Sequence, residues 1–220
     1  MAAVAVFVSL GVWQLERRAW KLDLIERVET RLAAPPVAAP GPSDWAAIRA
    51  DANEYERVMA DGRLLHEHEV RALAVTELGS GYWVLTPLET PGFTVFVNRG
   101  FVPPDRSDPA TRAEGQVEGV VHVEGLLRLS EPGGGFLRSN APAENRWYSR
   151  DVQAMAATQG LGPVAPYFID ADATANPGGL PVGGLTVIAF RNTHLSYALT
   201  WFGMAAALVA LTWYALRRER

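Results

Sequence analysis

There is no cysteine among the 220 residues of this chain. Disulfides, thiolate metal sites and thiol chemistry are therefore excluded. Lysine occurs once, at Lys21, so nearly every basic residue is an arginine; with abundant Ala and Gly, this composition points to a GC-rich bacterial genome. Basic charge is also scarce in the middle of the chain. From Pro35 to Phe190 there are 19 acidic against 11 basic residues, a formal charge of −8. Nucleic acid is a poor partner for such a surface. No Ser or His stands in a nucleophile signature. Gly133-Gly134-Gly135 lacks the Gly-Lys-Ser/Thr ending of a phosphate loop and reads as a flexible loop.

Long apolar runs are confined to the two ends. Ser196 to Leu216 holds no charge, and its 21 residues span roughly 31 Å as a helix, about the hydrocarbon thickness of a bilayer. A membrane helix is expected over 191–216, followed by a cytoplasmic tail, 217–220. The opening run, residues 1–15, is shorter. No basic segment precedes it and Trp13-Gln14-Leu15-Glu16-Arg17 is no small-residue cleavage site, so it reads as a first membrane helix, truncated at its start, rather than a signal peptide. Arginines and Lys21 flank both runs, which leaves orientation undecided by charge. Two spans would place both chain ends on one side.

Trp13, Trp20, Leu24, Val28 and Leu32 recur at steps of seven and four, with charges between. Residues 16–34 therefore read as an amphipathic extension of the first helix, ended by Pro35-Pro36. A Pro/Ala linker follows. Ser43 is placed to cap a short helix carrying Trp45 and Ile48. Strand signals then dominate, over Tyr55 to Leu65, His68 to Thr76, Tyr82 to Leu88, Thr94 to Asn98, Val117 to Leu129, Arg146 to Ser149, Tyr167 to Ile169 and Leu185 to Phe190. Thr90-Pro91-Gly92 should close a hairpin. One helix, Asp151 to Gln159, is expected between a capping Asp151 and Gly160. The expected fold is a membrane α-helical hairpin enclosing an antiparallel β-rich α+β domain over 35–190.

Three of the four histidines have ordinary roles available. His66 and His68 would share a face at a strand end, a spacing compatible with a metal but without a third ligand nearby, and His122 sits inside a strand. His194 differs. Asn192 or Thr193 can cap the second membrane helix, which leaves His194 in its first turn at the membrane boundary, where an ionisable side chain is tolerated. Neutral imidazole ligates iron. At 100° per residue Tyr197, Trp201, Ala205 and Thr212 lie within about 60° of His194, and Arg191 lies one turn earlier. An iron ligand, an aromatic wall and a cation suit a haem; an interfacial belt of Arg, His, Tyr and Trp is the alternative. On the opposite face Gly203, Ala207 and Ala210 form a small-residue ridge where another helix could approach, with the first span as partner. Trp13 and Gln14 are supporting candidates at the membrane edge.

Four segments in order along the whole chain carry a family likeness: Gly11-Val12-Trp13-Gln14 with Arg17 and Lys21; Gly81-Tyr82-Trp83-Val84-Leu85-Thr86-Pro87 leading to Val97-Asn98-Arg99-Gly100-Phe101-Val102-Pro103; Asn145-Arg146-Trp147-Tyr148-Ser149-Arg150-Asp151; and Arg191-Asn192-Thr193-His194-Leu195-Ser196-Tyr197-Ala198-Leu199-Thr200-Trp201-Phe202-Gly203. The chain resembles the surfeit locus protein 1 family, membrane assembly factors of cytochrome c oxidase. The resemblance implies a bacterial inner-membrane protein with both termini cytoplasmic and the β-rich domain in the periplasm. It implies help in delivering or inserting haem a into the catalytic subunit of the oxidase, receipt of haem a near haem A synthase, and haem a ligation by His194, with Arg191, Tyr197 and Trp201 around it. It implies no reaction of the chain's own, so no catalytic residue is expected. The alternative is a scaffold that stabilises an oxidase intermediate without touching haem. Asn98-Arg99-Gly100 is expected to fix a turn, with Gly100 at positive φ.

Overall fold

The computed structural model describes residues 2–135, 137–188 and 190–218. The end of the tail expected after Leu216, Glu219 and Arg220, lies outside them, as do Met1 and Phe136. The chain divides into two compact units, one formed by 1–30 with 188–220 and the other by 31–187.

The larger unit is built on a closed sheet. After α1 (Ala2–Ala33), which stops before Pro35-Pro36 as expected, come β1 (Val37–Ala38), the one-turn α2 (Ala50–Asn53), β2 (Arg57–Leu64), β3 (Val70–Thr76), β4 (Gly79–Glu89), β5 (Thr94–Val102), β6 (Val120–Leu129), the short pair β7 (Gly134–Gly135) and β8 (Arg138–Ser139), α3 (Val152–Thr158) and β9 (Val164–Ala171). Hydrogen bonding runs β2-β6-β9-β5-β4, and β4 returns to β2 through Arg63 opposite Glu89 and Leu64 opposite Leu88. Five strands thus form a barrel, which removes the open edges of a flat sheet. A Cβ at Gly62 would lie 2.4 Å from the Glu89 carbonyl oxygen, so the closure needs glycine there.

Alternation along the strands separates two cores. Val58, Leu88, Val97, Leu127, Tyr167 and Ile169 fill the barrel. Leu85, Phe96, Trp147, Met155 and Phe168 form the second core, under α3. Asp151 caps α3 by accepting from the Ala154 amide at 3.2 Å, and Gly160 follows at φ +66°. The hairpin at Thr90 to Gly92 is present, with the Thr90 Oγ1 donating to the Phe93 carbonyl at 2.6 Å. The Pro/Ala linker is pinned by one carbonyl: Pro40 O accepts from Tyr167 Oη at 2.8 Å and Trp45 Nε1 at 3.1 Å. Burial pushes the Tyr167 hydroxyl well above the ordinary phenol range.

Several expectations are corrected. The sheet is not wholly antiparallel, since β5 pairs with β9, and β1 with β2, in parallel. Leu185 to Ile188 forms no strand, although Val182 bridges Phe101, and Ala189 lies outside the described residues. Arg146 to Ser149 is irregular, tied to the sheet by one bridge from Trp147 to Ala72. Gly134-Gly135 belongs to a small hairpin rather than a free loop. Asp44, not Ser43, precedes the turn at Trp45–Ala47, with no side-chain cap. His66 to His68 is a single 3-10 turn, which points the two imidazoles apart instead of along one strand face.

Asp170 on β9 is the polar centre of the barrel wall. It is 2% exposed. Its Oδ1 accepts from Asn98 Nδ2 at 2.7 Å and Arg150 Nη1 at 3.1 Å; its Oδ2 accepts from Arg128 Nη1 at 3.1 Å and Thr186 Oγ1 at 3.0 Å. Arg128 also lies over the Tyr55 ring and Arg150 over the Phe168 ring, at 4.8 and 4.7 Å. Glu131 holds the outer side of Arg150 through Nε at 3.1 Å. Burial alone would raise the Glu131 pKa, but the Arg150 guanidinium outweighs it and the net shift is downward.

Replacing Asp170 by Asn strips two buried guanidiniums of their shared charge, and should lower unfolding free energy by about 3–5 kcal/mol, read by denaturant unfolding of the detergent-solubilised chain. A loss near zero would refute the hub role. The sign for Glu131 follows from its lowered folded-state pKa: its contribution is present above the ordinary value of 4.5 and disappears as pH falls through the folded value. The thermal midpoints of wild type and Glu131→Gln should therefore differ at pH 7 and converge below pH 4.5. A gap that stays constant with pH would contradict the pairing.

Candidate functional site

The smaller unit contains α1 up to Thr30 and α4 (His194–Arg218). Among the described residues α4 is the one helix long and apolar enough to cross a membrane. At 25 residues it extends about 38 Å. The second expected span does not stand out in the same way. The apolar half of α1 gives way to Glu16, Arg17 and Arg18 within one continuous 32-residue helix.

Contacts between the two helices fix an antiparallel pairing, because the start of α1 meets the 201–202 region of α4 and Gln14, further on, meets its first residue. Gln14 meets His194, and a Cβ at Gly11 would lie 2.5 Å from the Phe202 ring. Phe7 stacks on Trp201 with centroids 5.8 Å apart and planes 28° apart. The less exposed positions of α1 include 4, 7, 11, 14, 18, 21, 25 and 28, with 10 and 24 beside them, and those of α4 include 194, 198, 201, 205 and 208, with 202 beside them. Alternating steps of three and four mark a coiled-coil seam. This spacing was readable in the sequence, but the conspicuous tryptophans drew the helix face elsewhere. Trp13 and Trp20 are in fact 53% and 47% exposed, whereas Val28 is buried.

The ridge of small residues is also corrected. Gly203, Ala207 and Ala210 are exposed, and a Cβ at Gly203 would meet nothing within 4 Å. Close approach occurs instead at Gly11, with Ala198 and Ala205 buried on the α4 face. Small residues permit contact on either face; the bulk of Phe202 over Gly11 selects this one.

His194 opens α4. Thr193 supplies the first helical carbonyl, accepting from the Tyr197 amide at 3.3 Å, while Asn192 Oδ1 is buried without a hydrogen-bond partner among the described residues and caps nothing. His194 is half-buried. Its Nδ1 lies 2.7 Å from Gln14 Oε1, and Gln14 is 9% exposed. With the carboxamide oxygen turned toward it, Nδ1 is the donor of this contact, and in a neutral ring that arrangement leaves the Nε2 lone pair available. A second hydrogen bond that fixes ring orientation and tautomer is the usual support of a metal-ligating histidine.

The structure thus brings together three of the six expected residues, His194, Gln14 and Trp201, on the seam of one helix pair. Tyr197 is 56% exposed and Arg191 and Trp13 are exposed too, so these three face away from the seam. Among the described residues there is no group of three or more His, Asp or Glu able to hold a bare metal ion. What the helix pair offers is one oriented imidazole and, about two turns along α4, an aromatic pair.

The SURF1 family model matches residues 1–206. The chain belongs to the SURF1 family. Its members are known as oxidase assembly factors, and no catalytic activity is associated with them. Surfeit locus protein 1 of Mus musculus is 39% identical over 220 residues, covering 92% of this chain and 70% of its own length. The protein of the same name in Homo sapiens is 38% identical over 217 residues, covering 90% and 70%. The SURF1-like protein of Monosiga brevicollis is 41% identical over 234 residues, covering 100% and 86%.

A larger side chain at Gly11 has nowhere to go except into the Phe202 ring. In this cysteine-free chain the pair Phe7→Cys and Trp201→Cys can be joined by a short bismaleimide, and adding Gly11→Leu should cut the yield of the cross-linked species severalfold. An unchanged yield would refute close packing at Gly11.

Proposed function

We propose that this SURF1 family member assists assembly of cytochrome c oxidase by handing haem a toward the catalytic subunit, with His194 as the protein ligand to the haem iron. The single observation that carries the reading is the His194 Nδ1 to Gln14 Oε1 hydrogen bond of 2.7 Å. It orients the ring, and a neutral imidazole donating through Nδ1 offers Nε2 to iron. A bound haem would supply an iron able to take the imidazole nitrogen as ligand. Gln14 holds the imidazole against rotation. Trp201, braced by Phe7, adds an apolar wall about two turns along α4.

The reading includes two membrane spans, the apolar half of α1 beside α4, with both termini in the cytoplasm of a bacterial cell and the barrel domain in the periplasm. Haem A synthase is the proposed donor. A site at the start of α4 then stands at the membrane boundary, where a cofactor made and used within the bilayer can be passed along it without crossing water.

The test is spectroscopic. The chain is purified from cells making haem A synthase, and its bound haem a is read by absorption. His194→Ala should lower haem content roughly tenfold or more while its membrane level stays near wild type, since one half-buried side chain contributes little to packing. Gln14→Leu should give an intermediate loss, and His66→Ala and His68→Ala none. Equal haem in wild type and His194→Ala would remove haem ligation from the proposal and leave a scaffold.

A further inference from the structure

Asn98-Arg99-Gly100 forms a β-bulge, not a turn. Leu85 pairs with Asn98 and Val84 with Gly100, so Arg99 is the extra residue on β5. Gly100 takes φ +125°, and a Cβ there would lie 2.1 Å from the Val182 carbonyl oxygen. Only glycine fits. Bulges re-aim side chains, and this one sets a guanidinium at one mouth of the barrel.

Arg99 is 3% exposed. Its Nη2 donates to Gly115 O and, at 3.0 Å, to Asn176 Oδ1; both acceptors are neutral. Its Nη1 is buried with no acceptor among the described residues. The neighbouring carboxylate, Glu69, is already held in a two-pronged pair by Arg112, with both side chains almost wholly buried. Two buried guanidiniums and one buried carboxylate leave one positive charge in excess. Burial pulls the Arg99 pKa down to about 10, so the group is still charged at pH 7. Gln116, placed between Gly115 and Val117, likewise has a buried Nε2 without an acceptor. Buried charges and donors are ordinarily matched, and these are not.

A cavity of about 160 Å³ opens beside Arg99. Leu64, Val97, Val117 and Val121 give it apolar walls, while Glu124 and Asp172 stand among its lining groups. Carboxylates there oppose a dianion more strongly than a monoanion. We propose that this barrel mouth binds a small monocarboxylate, its carboxylate on the Arg99 guanidinium and its hydrocarbon end against Leu64, Val97 and Val121. The site lies wholly within the larger unit and is independent of the reading of His194.

The probe is [1-13C]butyrate, titrated into the full chain in detergent and followed by 13C NMR, with inorganic phosphate followed by 31P in parallel. Wild type should give a saturable butyrate shift. Arg99→Met should weaken it roughly tenfold or more, the effect of losing a charge-assisted hydrogen bond; exchange of a buried unpaired charge for an apolar side chain of similar length is well tolerated by folds. Val121→Phe, which fills the cavity and keeps Arg99, should abolish the shift, and decides the question if thermal melting shows Arg99→Met unfolded. Absence of saturation in wild type, equal binding by Arg99→Met in its folded form, retained binding by Val121→Phe, or phosphate binding more tightly than butyrate would each overturn the assignment.

Discussion

Two arginines share one aspartate inside the barrel wall, and the larger unit is organised around satisfying that arrangement. Asp170 is nearly inaccessible, so its charge is tolerable only because Arg128 and Arg150 lie against it and Asn98 and Thr186 fill its remaining lone pairs. These partners come from β6, the start of α3, β5 and the segment after β9. Each backbone must therefore hold its register for the others to be neutralised. The barrel interior supplies the apolar drive, and the ion cluster fixes which strands stand beside β9.

The same logic of paired demands recurs in the helix pair. Gly11 allows contact, Phe202 occupies the space it leaves, and Gln14 three residues on meets His194. An imidazole at a helix start would otherwise be free to rotate. The hydrogen bond fixes its orientation. Membership of the SURF1 family gives that property a setting in oxidase assembly.

Much of the barrel was legible in residues alone. Strand-forming side chains over 94–98 and 117–129 point to β5 and β6, which run to Val102 and start at Val120, while Thr90-Pro91-Gly92 points to the hairpin and Asp151 with Gly160 to α3. Local rules suffice where the decisive contacts are a few residues apart. They fall short at Leu185 to Phe190, whose apolar content reads as a strand although Leu185 to Ile188 form none, and at His66 to His68, where a tight turn replaces an extended end. The α1 face was misassigned because exposed tryptophans dominate a hydrophobic count, although the glycine and glutamine seam carried the contact.

By itself the sequence determined that residues 196–216 form an apolar helix, that the middle of the chain is strand-rich and acidic, and that four ordered segments belong to the SURF1 family. Composition, periodicity and short motifs are enough for each. Only the tertiary structure decided that the sheet closes, that Asn98 reaches Asp170 across 72 positions, that Arg99 sits at a bulge with an unmatched donor, and that Gln14 meets His194 across 180. Those outcomes depend on strand register and helix rotation. A shift of one residue in either would send each of these side chains to another face.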